Sequence, residues 1–183
     1  MKKLIAFFAL CLAFSSQATV IKVELDKAQY QKDELVQAQI RVQGYTDGLA
    51  GFKLDLSYWA TALGFESVTF GPHFSPIEPN FGAFSQQGSN LTISESNLFD
   101  FAWDLAAVQN ADFTVATVTF KALGGGLHKL LLSNIELTDA WGFRVADVGV
   151  QNGVVNVTGP AVPAPATLFL LLPAVLMLMR RRA

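Results

Sequence analysis

Four carboxylates are the residues of this chain whose type and spacing could do chemistry. Glu95, Asp100, Asp104 and Asp112 all lie within residues 95–112. A retaining glycosidase uses two carboxyl groups about 5 Å apart, one as nucleophile and one as acid. The spacing therefore raises the hypothesis of a polysaccharide-active hydrolase. We favour the alternative that these side chains form a solvated acidic surface beside a loop, because no other catalytic pattern accompanies them.

The remaining groups that commonly bind metals or act as nucleophiles are sparse. His73 lies in a proline-rich stretch and His128 beside three glycines, and neither has a second ligand at a recognisable metal spacing. Calcium binding through Asp47, Asp100 or Asp104 is conceivable because this cation takes several oxygen ligands, but no EF-hand-like loop is present. A GxSxG nucleophile motif is also missing. We expect no catalytic residue, no metal and no cofactor.

Aromatic residues are concentrated in two stretches, "FGPHFSPIEPNFGAF" and "LFDFAW". Exposed rings on loops held by a rigid scaffold can stack on sugars or anchor a protein partner. The alternative is that these rings close one end of the fold as a small additional core. The same two interpretations apply to Trp59 and Trp141. The candidate contacts with a ligand or partner are Phe74, Phe81, Phe101 and Trp103.

The elements that must position these residues show alternation with a period of two, which is typical of half-buried strands. "IKVEL" places Ile21, Val23 and Leu25 on one face and charged residues on the other. Turn sequences such as "GYTDG", "QQGSN" and "QNG" separate the segments. One helix is predicted at residues 97–109. We therefore predict an all-β, two-sheet antiparallel sandwich with strands at 21–25, 36–43, 52–58, 66–70, 90–96, 113–123, 127–137, 143–148 and 153–158.

Residues 20–157 resemble a cohesin domain. The similarity is carried by "AGFKLDLSYWATALGFESVTFG" and by the closing "IELTDAWGFRVADVGVQNGVVNV". It implies a jelly-roll topology and a binding role, because many cohesins bind dockerins or take part in carbohydrate-related surface assemblies. The expected partner is a dockerin-like protein or a polysaccharide. The chain departs from the pattern at Trp59, where many relatives have aspartate, and in the insertion-like residues 96–112.

The N-terminal residues predict a secretory signal peptide over residues 1–18. Lys2 and Lys3 precede about eleven apolar residues, and Ser16 and Ala18 occupy the small-residue positions before a cut after Ala18 by signal peptidase. An apolar stretch of this length is too short to span a bilayer, which needs about 20 residues. Cys11 is the one cysteine of the chain. We therefore expect the processed protein to contain no disulfide.

The C-terminal residues "VPAPATLFLLLPAVLMLMRRRA" combine a Pro-x-Pro motif, fourteen apolar residues at 166–179 and a basic cluster. Basic residues after such a run act as a cytoplasmic stop. In this order the three parts resemble the PEP-CTERM sorting signal, which implies transient retention in the inner membrane and processing by exosortase in Gram-negative bacteria that make exopolysaccharide. Ala164 replaces the glutamate usual in this motif. The motif residues are Val162, Pro163, Ala164, Pro165, Arg180, Arg181 and Arg182.

The charge of the central region disfavours nucleic acid as a partner. Residues 19–165 hold fifteen acidic and eight basic residues, which is a net charge of −7. A phosphate backbone is repelled by such a surface. We predict three segments: a signal peptide (1–18), a cohesin-like sandwich (19–158) and a sorting signal with a short transmembrane helix (159–183).

These observations favour an exported, non-enzymatic binding module at the cell surface or in the extracellular matrix. Its expected ligand is a protein partner or a polysaccharide. Two rival functions remain open at this point. One is the polysaccharide-active hydrolase, and the other is a purely structural matrix protein without a discrete ligand.

Overall fold

The computed structural model describes residues 18–74, 81–98 and 100–159. Strands form nearly all of the regular structure in these ranges. They are β1 (Val20–Leu25), β2 (Tyr30–Gln31), β3 (Leu35–Gln43), β4 (Leu49–Ser57), β5 (Leu63–Phe70), β6 (Phe81–Gln87), β7 (Asn90–Ser96), β8 (Asp112–Ala122), β9 (Gly126–Asp139), β10 (Gly149–Gln151) and β11 (Gly153–Thr158). The helix α1 (Ala102–Val108) lies between β7 and β8.

The strands form two sheets, which confirms the predicted sandwich. One sheet has the order β10-β1-β3-β8-β5, and the other has the order β2-β11-β9-β4-β7-β6. The pairs are antiparallel except for β1 with β10 and β11 with β2, which are parallel. The chain therefore leaves one sheet after β10 and enters the other at β11, so its last strands join the two layers.

Alternation along the strands fills the space between the sheets. On β3, Val36, Ala38, Ile40 and Val42 are fully buried, and their polar neighbours face outward. Burying a side chain of valine or leucine size contributes about 1.5–3 kcal/mol. One continuous core extends from Ile21 to Val157. The residues between β1 and β11 thus hold a complete hydrophobic interior.

A bulge in β9 corrects the register of its inward side chains. Lys53 on β4 pairs with Glu136, whereas Asp55 pairs with Ser133, so β9 has one extra residue here. Asn134 takes a positive φ of 50°, and its Nδ2 donates to Asp55 Oδ2 at 2.6 Å. Both Leu132 before the bulge and Leu137 after it remain buried.

The predicted strand at 143–148 is wrong. This segment makes one isolated bridge, between Thr138 and Arg144, and Val145 N donates to Leu137 O at 2.9 Å. Asp147 has a φ of 53°, which ends the extended conformation before a strand can form. Alternation of apolar residues in this segment reflects packing against the core by Val145 and Val148.

The structure also contains strands that the sequence pattern did not indicate, namely β2, β6 and β10. The sequence of β6, FGAFSQQ, was expected to continue an aromatic loop, because the stretch before it is rich in proline and glycine. It forms because every residue from Phe81 to Gln87 pairs with β7 across a tight turn. The helix is shorter than the predicted 97–109, because Asn97 and Asp100 are hydrogen-bonded to each other before it begins.

Predictions for the two ends of the chain fall mostly outside the described residues. The sorting motif (Val162, Pro163, Ala164, Pro165, Arg180, Arg181 and Arg182) and the terminal apolar segments are among these. Ala18, the predicted cleavage position, is exposed just before β1. Over the ranges 18–74, 81–98 and 100–159, no helix is long and apolar enough to cross a membrane.

A charged cluster on the outer face of the five-stranded sheet makes stability depend on pH. Arg41 Nε donates to Asp112 Oδ1 at 2.8 Å, and Lys22 Nζ donates to Asp112 Oδ2 at 3.2 Å. Although burial opposes ionisation, these two cations hold the pKa of Asp112 below its ordinary value of 3.8. The carboxylate therefore stabilises the fold above that ordinary pKa, and its contribution disappears as the pH falls through the lower, folded-state pKa.

We expect Asp112→Asn to lower the melting temperature at neutral pH. The difference from the unmodified domain should shrink as the pH falls from about 5 to about 3, where the carboxylate is progressively protonated in both states. Thermal unfolding followed by circular dichroism over this range measures the effect. A difference that stays constant with pH would show that Asp112 acts by packing alone.

Candidate functional site

Helix α1 is held against the start of β4 by a buried glutamine at its C-terminal end. Leu49 N donates to Gln109 Oε1 at 2.6 Å, and Gln109 Nε2 donates to Leu49 O at 2.7 Å. Both residues are buried. Leu105, the buried residue of the helix, lies over Gly48. Together these contacts determine which side of α1 faces outward.

Gly48 allows the close approach of α1. Its φ is +85°, and a Cβ at this position would lie 2.7 Å from Ala102 O and 3.2 Å from Leu105 Cβ. Only glycine adopts this conformation without strain and leaves room for the helix. The backbone of residue 48 is therefore the surface on which α1 lies.

The turn before α1 orients the first aromatic pair. Asn97 N donates to Ala50 O at 2.7 Å, and Asp100 N donates to Asn97 Oδ1 at 3.0 Å. The rings of Phe101 and Trp103 follow and stack in parallel, with centroids 4.7 Å apart and an interplanar angle of 14°. Both side chains are exposed. Because the pair is stacked, it forms one rigid apolar projection.

A second aromatic pair lies on the turn after β9. Asp139 Oδ1 accepts from Trp141 N at 2.9 Å and from Phe143 N at 2.8 Å, and Asp139 N donates to Phe143 O at 2.9 Å. Gly142 between them has a φ of +82°. This Asp139–Gly142 turn presents Trp141 and Phe143 to solvent.

Both aromatic pairs lie at the same end of the sandwich. Ala140 N in the turn donates to Gly48 O at 3.1 Å, and Gly48 also contacts α1. We call this region the aromatic end; its exposed residues, each 60–72% exposed, are Leu98, Phe101, Trp103, Trp141 and Phe143. Exposed apolar clusters of this kind on monomeric proteins mark interaction sites.

Acidic groups surround the aromatic end. Residues 43–50, 95–112 and 138–143, which build it, contain six acidic residues and no lysine or arginine, and one of the six, Asp112, is paired with Arg41 and Lys22 from outside these ranges. Tyr45 lies among them, and burial, followed by the charges of Asp139 and Asp47, raises its pKa to about 12. Asp104 lies in the first turn of α1. The site therefore combines apolar rings with a negative potential.

The structure separates the four aromatic residues that the sequence singled out. Phe101 and Trp103 belong to the aromatic end. Phe81 is exposed at the same end, because it starts β6 opposite Ser96, the last residue of β7. Phe74 is fully buried and packs edge-on against Phe52, with centroids 5.3 Å apart. Phe74 is thus a core residue, which corrects its assignment as a surface contact.

The four carboxylates considered for hydrolysis lie in several different settings. Asp112 is engaged by Arg41 and Lys22 on the five-stranded sheet. Glu95 and Asp100 are buried, and Asn97 Nδ2 donates to Asp100 Oδ2 at 2.5 Å. Asp104 lies on α1. Of the four, two are therefore buried, one is ion-paired and one lies in the first turn of the helix.

The residues considered for metal binding are also separated. His128 Nε2 lies 3.0 Å from Gly124 O in the turn before β9, and His73 is in the loop after β5. Among the described residues, no group of three or more histidine, cysteine, aspartate or glutamate side chains could hold a metal ion.

A groove of about 550 Å³ lies at the opposite end of the six-stranded sheet. Its lining residues are Ser57, Tyr58, Trp59, Ser89, Leu127, Lys129 and Leu131. Trp59 and Leu127 are exposed here. We call it the C-terminal groove, because β11 ends beside it.

The outer face of the six-stranded sheet between these ends is polar. Asp55 accepts hydrogen bonds from Thr92 Oγ1 and Asn134 Nδ2, both at 2.6 Å, and these bonds hold the pKa of Asp55 below its ordinary value. The ionised Asp55 joins β4, β7 and β9 across the sheet. The hydrogen bonds of this carboxylate therefore hold the three strands together.

Leu98 and Phe143 are residues of the aromatic end that sequence reasoning missed. Phe143 was assigned to a strand, although Trp141 and Phe143 flank a glycine in a turn that begins with aspartate. That arrangement was the available signal, because two aromatics in so tight a turn cannot both reach the core. Leu98 carries no comparable signal, since its exposure depends on the hydrogen bonds of its neighbours Asn97 and Asp100.

No protein-family model matches the chain, and no curated protein matches it in sequence. Solved structures do resemble it. A non-cellulosomal cohesin from Archaeoglobus fulgidus has a TM-score of 0.61 at 20% identity, over 77% of this chain and 91% of that one. A type II cohesin domain from the cellulosome of Acetivibrio cellulolyticus has a TM-score of 0.64 at 21% identity, over 76% of this chain and 95% of that one.

A third similar chain comes from a type I cohesin–dockerin complex of Clostridium thermocellum. Its TM-score is 0.61 at 14% identity, over 78% of this chain and 95% of that one. At these identities the similarity concerns the fold. The sandwich of this protein is therefore cohesin-like, as its strand pattern indicated.

Proposed function

We propose that this protein is a non-enzymatic binding module that takes a protein partner at the aromatic end. The main observation in support is that four exposed aromatic rings from two chain segments lie at one end of the sandwich. Each segment is oriented by buried or backbone hydrogen bonds. Tryptophan and phenylalanine are enriched at protein interfaces, and they lose little conformational freedom when they bind. A rigid apolar surface that is surrounded by acidic residues is suited to a protein ligand.

The similar structures support the choice of partner class. The Clostridium thermocellum structure is a type I cohesin–dockerin complex, and another similar structure is a type II cohesin–X-dockerin complex from Acetivibrio cellulolyticus. We therefore propose a dockerin-like protein as the partner. The negative potential around the aromatic end favours a partner surface with basic or uncharged polar residues at its rim.

Capture from native extracts tests this function. Residues 19–158, which contain the whole core, are immobilised and exposed to cell-surface and matrix extracts and to purified exopolysaccharide. We expect saturable retention of a protein that survives glycosidase treatment of the extract and is lost after protease treatment. Retention of polysaccharide alone would replace the protein partner with a glycan, and retention of neither class would contradict a binding role.

We also propose that the module is exported and then sorted by its C-terminal segment. The support is the order of Pro163, Pro165, the apolar residues 166–179 and the terminal arginines. Mass spectrometry of the exported protein should find its N-terminus at Thr19 and its C-terminus near Pro165. An intact C-terminus in the extracellular fraction would contradict exosortase processing.

The rival functions make different predictions. A hydrolase would degrade the native polysaccharide and lose this activity in Asp100→Asn and Asp104→Asn. A purely structural matrix protein would self-associate without saturable binding. Asp112 is engaged by Arg41 and Lys22 and is therefore not available as a catalytic acid or nucleophile. We expect neither variant to change glycan turnover.

A further inference from the structure

The described chain leaves the sandwich beside the C-terminal groove. Val157 on β11 pairs with Gly126, the first residue of β9. Gly159 N would lie 3.6 Å from a Cβ on Gly125. The amides of Leu123 and Gly124 donate to Ala62 O at 2.8 and 3.2 Å. These contacts connect the exit point of the chain directly to the turn that carries Trp59.

Exposed apolar residues surround this exit point. We call them the exit rim: Leu35 at the start of β3, Trp59 after β4, Leu123 after β8 and Leu127 on β9. Ala62 N donates to Trp59 O at 2.9 Å, which places Trp59 on the turn contacted by Leu123. Leu35 pairs through β3 with Lys121, two residues before Leu123. Four strand ends therefore present apolar side chains around one point.

The apolar segment of the sequence begins close to this rim. Six residues, 160–165, separate Gly159 from residue 166. Even fully extended, a chain of six residues reaches only about 20 Å. If residues 166–179 enter a bilayer, the exit rim is the part of the domain held nearest to the bilayer surface.

The distribution of charge also favours an orientation in which the exit rim faces the bilayer. Around the rim, residues 26–35, 58–63, 121–129 and 157–159 hold four lysines and three acidic residues, whereas residues 19–165 as a whole are strongly acidic. Two of the acids are paired, Glu34 with Lys27 and Asp33 with Lys121. The aromatic end, with its six acids, is the opposite pole. An anionic lipid surface therefore attracts the rim and repels the aromatic end.

We propose that the exit rim is a lipid-binding surface that places the domain on the bilayer while the C-terminal segment is inserted. This inference rests on the membrane stop proposed for residues 166–179. Tryptophan and leucine partition into the headgroup boundary, and a few such residues give weak binding. Weak binding suffices here, because a short tether raises the effective concentration of the rim at the membrane to the millimolar range. The partner-binding aromatic end then faces away from the membrane.

Site-selective fluorescence quenching tests the proposal. Two single-tryptophan proteins spanning residues 19–183 are made: Trp103→Phe with Trp141→Phe retains Trp59, and Trp59→Phe with Trp103→Phe retains Trp141. Trp59 and Trp141 are matched probes, 66% and 69% exposed. After reconstitution into phosphatidylethanolamine–phosphatidylglycerol vesicles with brominated acyl chains, we expect quenching of Trp59 and none of Trp141. Equal quenching of both, or of neither, would overturn the proposal.

A second measurement separates the rim from the tail. Residues 19–158, which lack the apolar segment, are titrated with the same vesicles at high lipid concentration. We expect weak partitioning that Trp59→Ser reduces about tenfold, equivalent to about 1.4 kcal/mol, and that Trp141→Ser leaves unchanged. If the longer protein does not remain bound to vesicles but the trimmed domain binds them through Trp59, the membrane stop is wrong. The exit rim is then still a lipid-binding surface. The rim proposal is wrong if the trimmed domain does not bind vesicles and Trp59 of the anchored protein is not quenched. This holds whether Trp59 is covered by the tail or faces water.

Discussion

Replacing Trp103 and Trp141 together with serine is expected to weaken capture of the protein partner by about a hundredfold or more. Residues that dominate interfaces are enriched in tryptophan, and truncation of one typically costs at least about 2 kcal/mol. Two such losses exceed the roughly 2.7 kcal/mol that corresponds to a hundredfold change in Kd. Titration calorimetry or biolayer interferometry with the captured partner measures the change.

The geometry explains why these two residues were chosen together. Trp103 stacks on Phe101 at the start of α1, and Trp141 lies on the turn organised by Asp139. The two segments both contact Gly48. A partner that requires both tryptophans therefore binds a surface that forms only when the two segments are assembled at this end of the sandwich.

The control for this experiment is Trp59→Ser, which removes an equally exposed tryptophan from the opposite end. We expect this variant to bind the partner as tightly as the unmodified domain. Circular dichroism and melting temperature should be unchanged in both proteins, because all three side chains are exposed. Equal binding losses from Trp59→Ser and from the double variant would contradict the aromatic end as the partner site.

Gln109→Leu is expected to lower the free energy of unfolding by about 3 kcal/mol. The side-chain amide satisfies both the N–H and the C=O of Leu49 at 2.6 and 2.7 Å in a buried environment. A buried polar group left without its hydrogen bond costs about 1–3 kcal/mol. Leucine fills a similar volume, so the loss reports these two bonds rather than a cavity. Chemical denaturation of residues 19–158 measures the change.

The matched control is Gln87→Leu, which changes the same residue type at an exposed position on β6. We expect a change of no more than about 0.5 kcal/mol, as for most surface substitutions. A small effect of Gln109→Leu, similar to this control, would show that α1 is held by Leu105 and Gly48 instead. In that case the hydrogen bonds of Gln109 would be replaceable by solvent.

Gln109→Leu should also affect binding, because it loosens the attachment of α1 to β4. At temperatures where the variant remains folded, we expect a weaker affinity for the partner even though no contact residue has changed. Partner binding by Asp139→Ala should fall for the same reason at the second aromatic pair. Both residues are therefore positioning residues for the aromatic end.

Local patterns in the sequence predicted the greater part of the fold. Alternation in residues 21–25, 36–43 and 52–58 is a property of each segment alone, because adjacent strand residues face opposite sides of a sheet. With turns between them, many short strands require two packed layers to bury their apolar faces. The lone Cys11, the acidic balance of the middle and the two apolar ends were likewise readable from composition.

The tertiary structure alone decided which aromatic residues are exposed. Phe74 and Phe101 both follow loop-like sequences rich in polar or small residues, yet one packs against Phe52 in the core and the other projects into solvent. The formation of β6 was a tertiary effect too, because residues 81–87 form a strand by pairing along their whole length with β7.

The aromatic end could not be read from the sequence, because its parts are joined by contacts between distant residues. Leu49 meets Gln109, and Gly48 meets both Ala102 and Ala140. Periodicity reports the two faces of a single strand, whereas a surface site depends on which strand ends the sheets bring together. That choice is made by packing over the whole core, and no local pattern contains it.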